Sequence, residues 1–172
     1  MLVKKIELSL NKQIRIEAES SQIYLSMACW AEIQGLEGVA QFMYKQSDEE
    51  RLHMLKLIKY VNERGGHAVV TDLKAPKTTF GNMKEMFEEL YNHELFVSNS
   101  INELVHVTFE QKDYATHNFL QWYVAEQIEE EAQAKTILDK INLIGDDKGG
   151  LYLFDRDIQQ LVVTSSIGIA KK

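Results

Sequence analysis

The sequence predicts an all-α fold, an up-down four-helix bundle with one long crossover loop and a short fifth helix at the C-terminal end. Three observations carry this. The 172 residues include a single proline, Pro76, and nine glycines, so few positions interrupt a helix. Four long segments repeat apolar residues at spacings of three and four. The connections between those segments run short, long, short.

The first helix is expected over residues about 5–34 and stops near Gly35, a residue suited to the turn that ends a helix. The second covers about 37–64 and closes on Gly65-Gly66. The third spans about 82–111 and the fourth about 113–144, ending at Gly145. The fifth, about 151–163, follows the glycine-rich turn GDDKGG. It is too short to be stable alone, so its apolar residues Leu151, Leu153, Phe154, Ile158 and Leu161 need a surface to cover. Short connections make antiparallel hairpins of helices one and two and of helices three and four. The stretch HAVVTDLKAPKTTFG between them belongs to a connection of about 17 residues, which reaches roughly 55 Å when extended. A helix of about 28 residues is roughly 42 Å long, so this connection can cross the bundle from end to end. Residues 1–172 are expected to form one domain.

Composition excludes several classes. A net charge of −7 and a pI near 5.3 disfavour nonspecific attraction to nucleic acid or anionic membrane. No run approaches the roughly 18 apolar residues of a membrane span. The N-terminal MLVKKIELSLNK has no long apolar stretch after its lysines, as a secretory signal would, so a cytoplasmic location is expected. The single cysteine, Cys29, rules out an intrachain disulfide or a multi-cysteine metal site and reads as a small apolar filler on a helix.

The inward seams of the four helices are mostly apolar, yet each carries a carboxylate. Helix one runs Leu10, Ile14, Glu17, Ser21, Tyr24; helix two Met43, Gln46, Glu50, His53, Leu57; helix three Leu90, Glu94, Val97; helix four Tyr123, Gln127, Glu130, Ala134. Counted from the turns at 1.5 Å per residue, Glu17, Glu50, His53, Glu94, Gln127 and Glu130 lie within about one helical turn of the same height. No lysine or arginine shares these seams at that level. Like charges gathered away from water are strongly unfavourable, and divalent cations relieve them better than protonation does. Oxygen donors with one imidazole suit iron or manganese, and carboxylates favour ferric over ferrous iron.

The run EQIEEE (126–131) divides by face at about 100° per residue. Gln127 and Glu130 point inward, Glu126 and Glu129 flank them, and Glu131 reads as a solvated surface acid. His67, His93, His106 and His117 have no spaced partner and read as surface or packing residues, and Trp30 and Trp122 as core.

Glu17 with Tyr24, EERLH (49–53), YNHE (91–94) and NFLQWYVAEQIEEE (118–131) together resemble the bacterial non-haem ferritins over nearly the whole chain. The resemblance implies a ferritin-like bundle, ferroxidase activity and a hollow homo-oligomeric shell of 24 subunits that stores ferric mineral. Ferritin-like di-metal centres take one Glu from each of two helices and Glu-x-x-His from each of the others. Glu50-Arg51-Leu52-His53 completes one such motif here, while Gln127-Ile128-Glu129-Glu130 departs from the second. By likeness, Glu17, Glu50 and His53 correspond to the ligands of one iron and Glu50, Glu94 and Glu130 to those of a second, with Gln127 hydrogen-bonding beside it. A third iron site would use Glu49, Glu126 and Glu129 and share Glu130. Tyr24 matches the tyrosine that donates an electron or orients a ligand.

Bacterioferritins place a haem-ligating Met after the bridging Glu, where this chain has Arg51, so no haem is expected. Animal ferritins line a threefold channel with acids at the start of the fourth helix, where this chain has His117 and Leu120. The alternative function is a ferritin-like di-metal oxidase, acting on an organic substrate or protecting against peroxide without storing mineral. Its rubrerythrin form is disfavoured by the lack of a CxxC pair.

Overall fold

The structure, a computed structural model, describes residues 2–168, with the side chains of Gln159 and of 161–168 outside the description. Five helices occur in it: α1 Lys4–Ile33, α2 Glu37–Glu63, α3 Met83–Glu110, α4 Tyr114–Ile144 and α5 Lys148–Gly168. α1 packs chiefly on α2 and α3 on α4, and α1 also meets α3, so the two hairpins close a bundle. The turns use residues with positive φ, Gly35 at 76° after α1 and Lys112 at 56° between α3 and α4. Glycine reaches that region without a Cβ penalty, and a lone lysine there is tolerated in a tight turn.

The crossover runs the length of α1. Asn11 holds its start, donating to the His67 carbonyl at 3.0 Å and accepting from the Val69 N–H at 2.7 Å. Ser26 holds its end through the Lys77 carbonyl at 2.7 Å. Those two anchors are 15 residues apart on α1, roughly 22 Å of helix. Phe80 then buries against Trp30, ring centroids 5.5 Å apart.

α5 departs from expectation. It starts at Lys148 rather than 151 and continues to Gly168. Gly149 and Gly150 belong to its first turn, where the Asp147 carboxylate accepts both of their N–H groups at 3.2 and 3.1 Å. Free N–H groups in a first turn are what a capping acid satisfies, and this outweighs the low helix propensity of glycine. Phe154 and Ile158 are buried, Leu151 half-buried and Leu153 exposed, and the Leu161 side chain lies outside the described residues. Asp155 docks α5 onto α2: its carboxylate accepts from the Val39 N–H at 2.9 Å. The approach is so close that a Cβ on Gly38 would lie 1.8 Å from the Asp155 carbonyl oxygen.

The apolar core is divided in two. One cluster joins Tyr24–Ala31 of α1, Val39–Met43 of α2, the start of α3, the end of α4 and α5. The other joins Leu2–Ile16, Leu57 and Val61, Val97–Leu104, Leu120 and Tyr123. Leu120 is therefore core. Between the clusters lies a buried polar belt of Glu17, Ser20, Ser21, Gln46, Ser47, Glu50, His53, Glu94 and Gln127.

Asp113 caps α4, accepting from the Thr116 N–H at 3.0 Å and the Thr116 hydroxyl at 2.7 Å, and it also faces Arg64 at 3.3 Å. Burial pushes its carboxyl up, but these donors outweigh burial and hold it below the usual range. A carboxyl held low in the fold stabilises it above the unfolded pKa of about 3.9, and that stabilisation fades as pH falls through the folded value. Asp113→Ala should lower stability by about 1 kcal/mol at pH 7. The deficit should shrink as pH falls below about 4, as read by thermal unfolding followed by circular dichroism.

Candidate metal centre

The polar belt brings Glu17, Glu50 and His53 into one cluster in which each offers a ligand atom within 4.8 Å of the others. All three are buried. His53 reaches this level because it follows Glu50 by three residues, one turn of α2, and its Nδ1 lies 3.4 Å from Glu50 Oε2. Glu17 arrives from α1 and is held by Gln13 one turn earlier, whose Nε2 donates to Oε1 at 2.9 Å. Ser100 of α3 in turn donates to Gln13 Oε1 at 2.8 Å.

Glu94 of α3 is engaged differently. The Tyr24 hydroxyl donates to its Oε1, and Gln127 Nε2 donates to its Oε2 at 3.0 Å. The same Gln127 amide also lies 3.3 Å from Ser98 Oγ. Glu130 of α4, half-buried, accepts from Gln46 Nε2 at 3.1 Å. Neither Glu94 nor Glu130 joins the tight cluster of three. The charges of both act on Glu50 and oppose its ionisation.

Electrostatics make this belt costly without a cation. Burial, then the facing Glu50 carboxylate, raises Glu17 well above the usual carboxyl range. Burial, then Glu94, does the same to Glu50. Glu130 is raised by burial and by Glu94, Glu49 and Glu126. Burial raises Glu94 despite hydrogen bonds from Tyr24 and Gln127. Both oxygens of Glu50 are buried with no hydrogen-bond partner. A buried acceptor without a donor costs roughly 1–3 kcal/mol. Cations between the carboxylates would coordinate those lone pairs and remove the repulsion together.

Outside the belt, Glu126 is half-buried and raised by burial, with Glu129 and Glu49 adding to that shift and His53 and Lys56 opposing it. Glu129 is exposed. Glu49 is half-buried and meets Lys45 Nζ at 3.3 Å. Glu131, read from the sequence as solvated, is half-buried instead, and its charge reaches Glu94. Trp122, read as core, is 38% exposed because it lies over the flank of α4. Its ring meets His53 edge-on at 5.2 Å and carries Lys56 Nζ 3.2 Å above its centroid. Cys29 sits on the exposed face of α1 rather than filling core.

Three supporting residues were not singled out from the sequence. Gln13 precedes Glu17, the carboxylate it holds, by four residues, and that spacing was the available signal. Gln46 donates to Glu130 on another helix, to which no spacing along α2 points. Lys45 lies on the flank, off the seam, and its charge lowers Glu130.

A family model for the ferritin-like domain matches residues 7–144. The chain belongs to the ferritin family. This ferritin is 46% identical to a probable bacterial non-haem ferritin-like protein of Haemophilus influenzae, covering 94% of this chain and 98% of that one. It is 43% identical to a bacterial non-haem ferritin of Campylobacter jejuni, covering 95% and 98%. Among solved structures it superposes on an open-pore ferritin from the archaeon Archaeoglobus fulgidus with a TM-score of 0.91 at 41% identity, covering 92% and 98%. No described helix is long and apolar enough to cross a membrane.

Because the belt is strained by its own charges, neutralising one carboxylate should stabilise the metal-free protein. Glu50→Gln should raise its stability by about 0.5–2 kcal/mol, the usual gain from relieving one unfavourable site. Calorimetry of metal-stripped protein measures this. A loss of stability would show that the carboxylates are compensated within the bundle.

Proposed function

We propose that this ferritin stores and detoxifies iron. It oxidises Fe²⁺ at a di-iron ferroxidase centre inside each subunit and deposits ferric oxyhydroxide in a hollow 24-subunit shell in the cytoplasm. The observation that supports this best is Glu50, with two buried oxygens that no donor satisfies, clustered with Glu17 and His53 and opposed by the charges of Glu94 and Glu130. In this reading Glu50 bridges two iron ions. Glu17 and His53 complete the first position, and Glu94 and Glu130 complete the second.

Iron is the substrate. Two Fe²⁺ ions each give one electron to the oxidant, so O₂ becomes peroxide, or H₂O₂ with two protons becomes two waters. Carboxylate oxygens bind the harder Fe³⁺ better than Fe²⁺, which draws the oxidation forward. Gln127 holds the free oxygen of Glu94 while Tyr24 holds the other, so the second position is oriented before metal arrives. Tyr24 is also the residue placed to supply an electron, because its hydroxyl touches a ligand carboxylate. Glu49, Glu126 and Glu129, sharing Glu130, form a third iron site on the flank, through which ferric iron leaves for the cavity. The centre works without haem.

Loss of residues that only support a ligand costs roughly 10–100-fold in metal affinity or activity, so loss of two ligands should cost about 100-fold or more. Glu50→Ala with His53→Ala should therefore abolish rapid Fe²⁺ oxidation under air while circular dichroism and particle mass stay unchanged. Normal oxidation by the folded double variant would refute the assignment. A particle too small to enclose mineral would point to a di-metal oxidase without storage.

A further inference from the structure

The carboxylate belt and the flank beside it are balanced in different ways. In the belt, the hydrogen-bond donors to Glu17, Glu94 and Glu130 are neutral glutamines and a tyrosine. On the flank a cation is already in place. Lys45 Nζ lies 3.3 Å from Glu49 Oε1, one turn further along α2. Lys45, Glu49 and Lys56 recur at spacings of four and seven residues, so they share one stripe of that helix.

This pair is unlike the other lysine pairs of the chain. The Lys45 side chain is 17% exposed and that of Glu49 13%, whereas every other ion-paired lysine among the described residues is at least 46% exposed. Exposed pairs are screened by water and contribute little, and shielding strengthens the attraction. The same ammonium favours the charged form of Glu130 against burial and the opposition of Glu94, Glu49 and Glu126. Lys56 acts on Glu126 in the same sense, with its Nζ held 3.2 Å over the Trp122 ring.

We propose that Lys45 sets the iron affinity of the flank: its ammonium competes with iron for Glu49, so the third position fills last and gives up its iron readily. This rests on the reading of Glu49, Glu126 and Glu129 as a third iron site. An ion arriving there must displace Lys45 from Glu49 and then share the flank with the displaced charge. An ion arriving at Glu50 displaces no donor, because both oxygens of that residue have no partner. Two ions therefore collect at the belt, where they can be oxidised as a pair, before any collects on the flank. When ferric iron leaves the flank, the ammonium returns to Glu49 and replaces the lost positive charge. Lys45 acts through Glu49 and does not touch iron.

The test is equilibrium dialysis of the iron-free native particle against Fe²⁺ under argon, with bound iron counted per subunit. Two ions should bind tightly and a third more weakly. Groups that contact a ligand shift metal affinity by about 10–100-fold. Lys45→Met should therefore half-fill the third position at a free Fe²⁺ concentration at least about tenfold lower than in the native particle. Lys45→Gln is the second variant if the first fails to assemble. Lys45→Arg, which keeps the cation, should keep the third position weak. Lys84→Met, which removes the same charge from an exposed pair on α3, should change nothing. Glu126→Gln added to Lys45→Met should abolish the gained third ion. Three equal positions in the native particle would overturn the proposal. So would a third position unmoved by Lys45→Met, one moved as far by Lys45→Arg or Lys84→Met, or a gained ion that survives Glu126→Gln. A native particle without two tight positions would instead refute the di-iron reading, and the difference between native and Lys45→Met particles would still decide the role of Lys45.

Discussion

Carboxylates held close together away from water are the constraint on which this structure turns. A bundle of this length could bury an uninterrupted apolar core. Instead its core is split into two clusters, with Glu17, Glu50, Glu94 and their polar neighbours between them. Each acid alone would cost several kcal/mol to bury in charged form, and their mutual repulsion adds to that. A divalent cation bound among these carboxylates would return that cost.

The remaining architecture serves that belt. Long helices let side chains from four directions reach one height, and the crossover lets the two hairpins meet with their turns at opposite ends. Glu17 and Glu130 are each held at one oxygen by a neutral amide, Gln13 and Gln46, and Glu94 is held at both, by Tyr24 and Gln127. Neutral amides fix orientation without supplying the positive charge that would compete with a cation. Glu50 has no such donor, as suits the residue at the middle. The apolar clusters above and below keep this arrangement rigid, and α5 closes one of them.

Much of this was legible in the sequence, for a physical reason. Helix ends were readable where a glycine needs positive φ, as at Gly35 and Gly145, and the α1–α4 boundaries fall within one or two residues of expectation. The height of the acids followed from counting residues along straight helices. The start of α5 was not readable, because Gly149-Gly150 looks like a turn until Asp147 is seen to cap it. Orientation about each helix was harder than height. Trp122, Cys29 and Glu131 all lie near the boundary between faces, where a rotation of some 20–30° exchanges burial for exposure. The hydrogen bond from Ser100 of α3 to Gln13 of α1 crosses between helices and leaves no trace in the spacing along either of them.

The most direct test is titration of Fe²⁺ under air into the sized native particle, with O₂ uptake recorded. Oxidation should be rapid and break at two Fe²⁺ per subunit, followed by slower uptake of far more iron into the same particle. Oxidation with no break at that ratio, or a particle that retains no iron beyond it, would contradict iron storage through a di-iron centre.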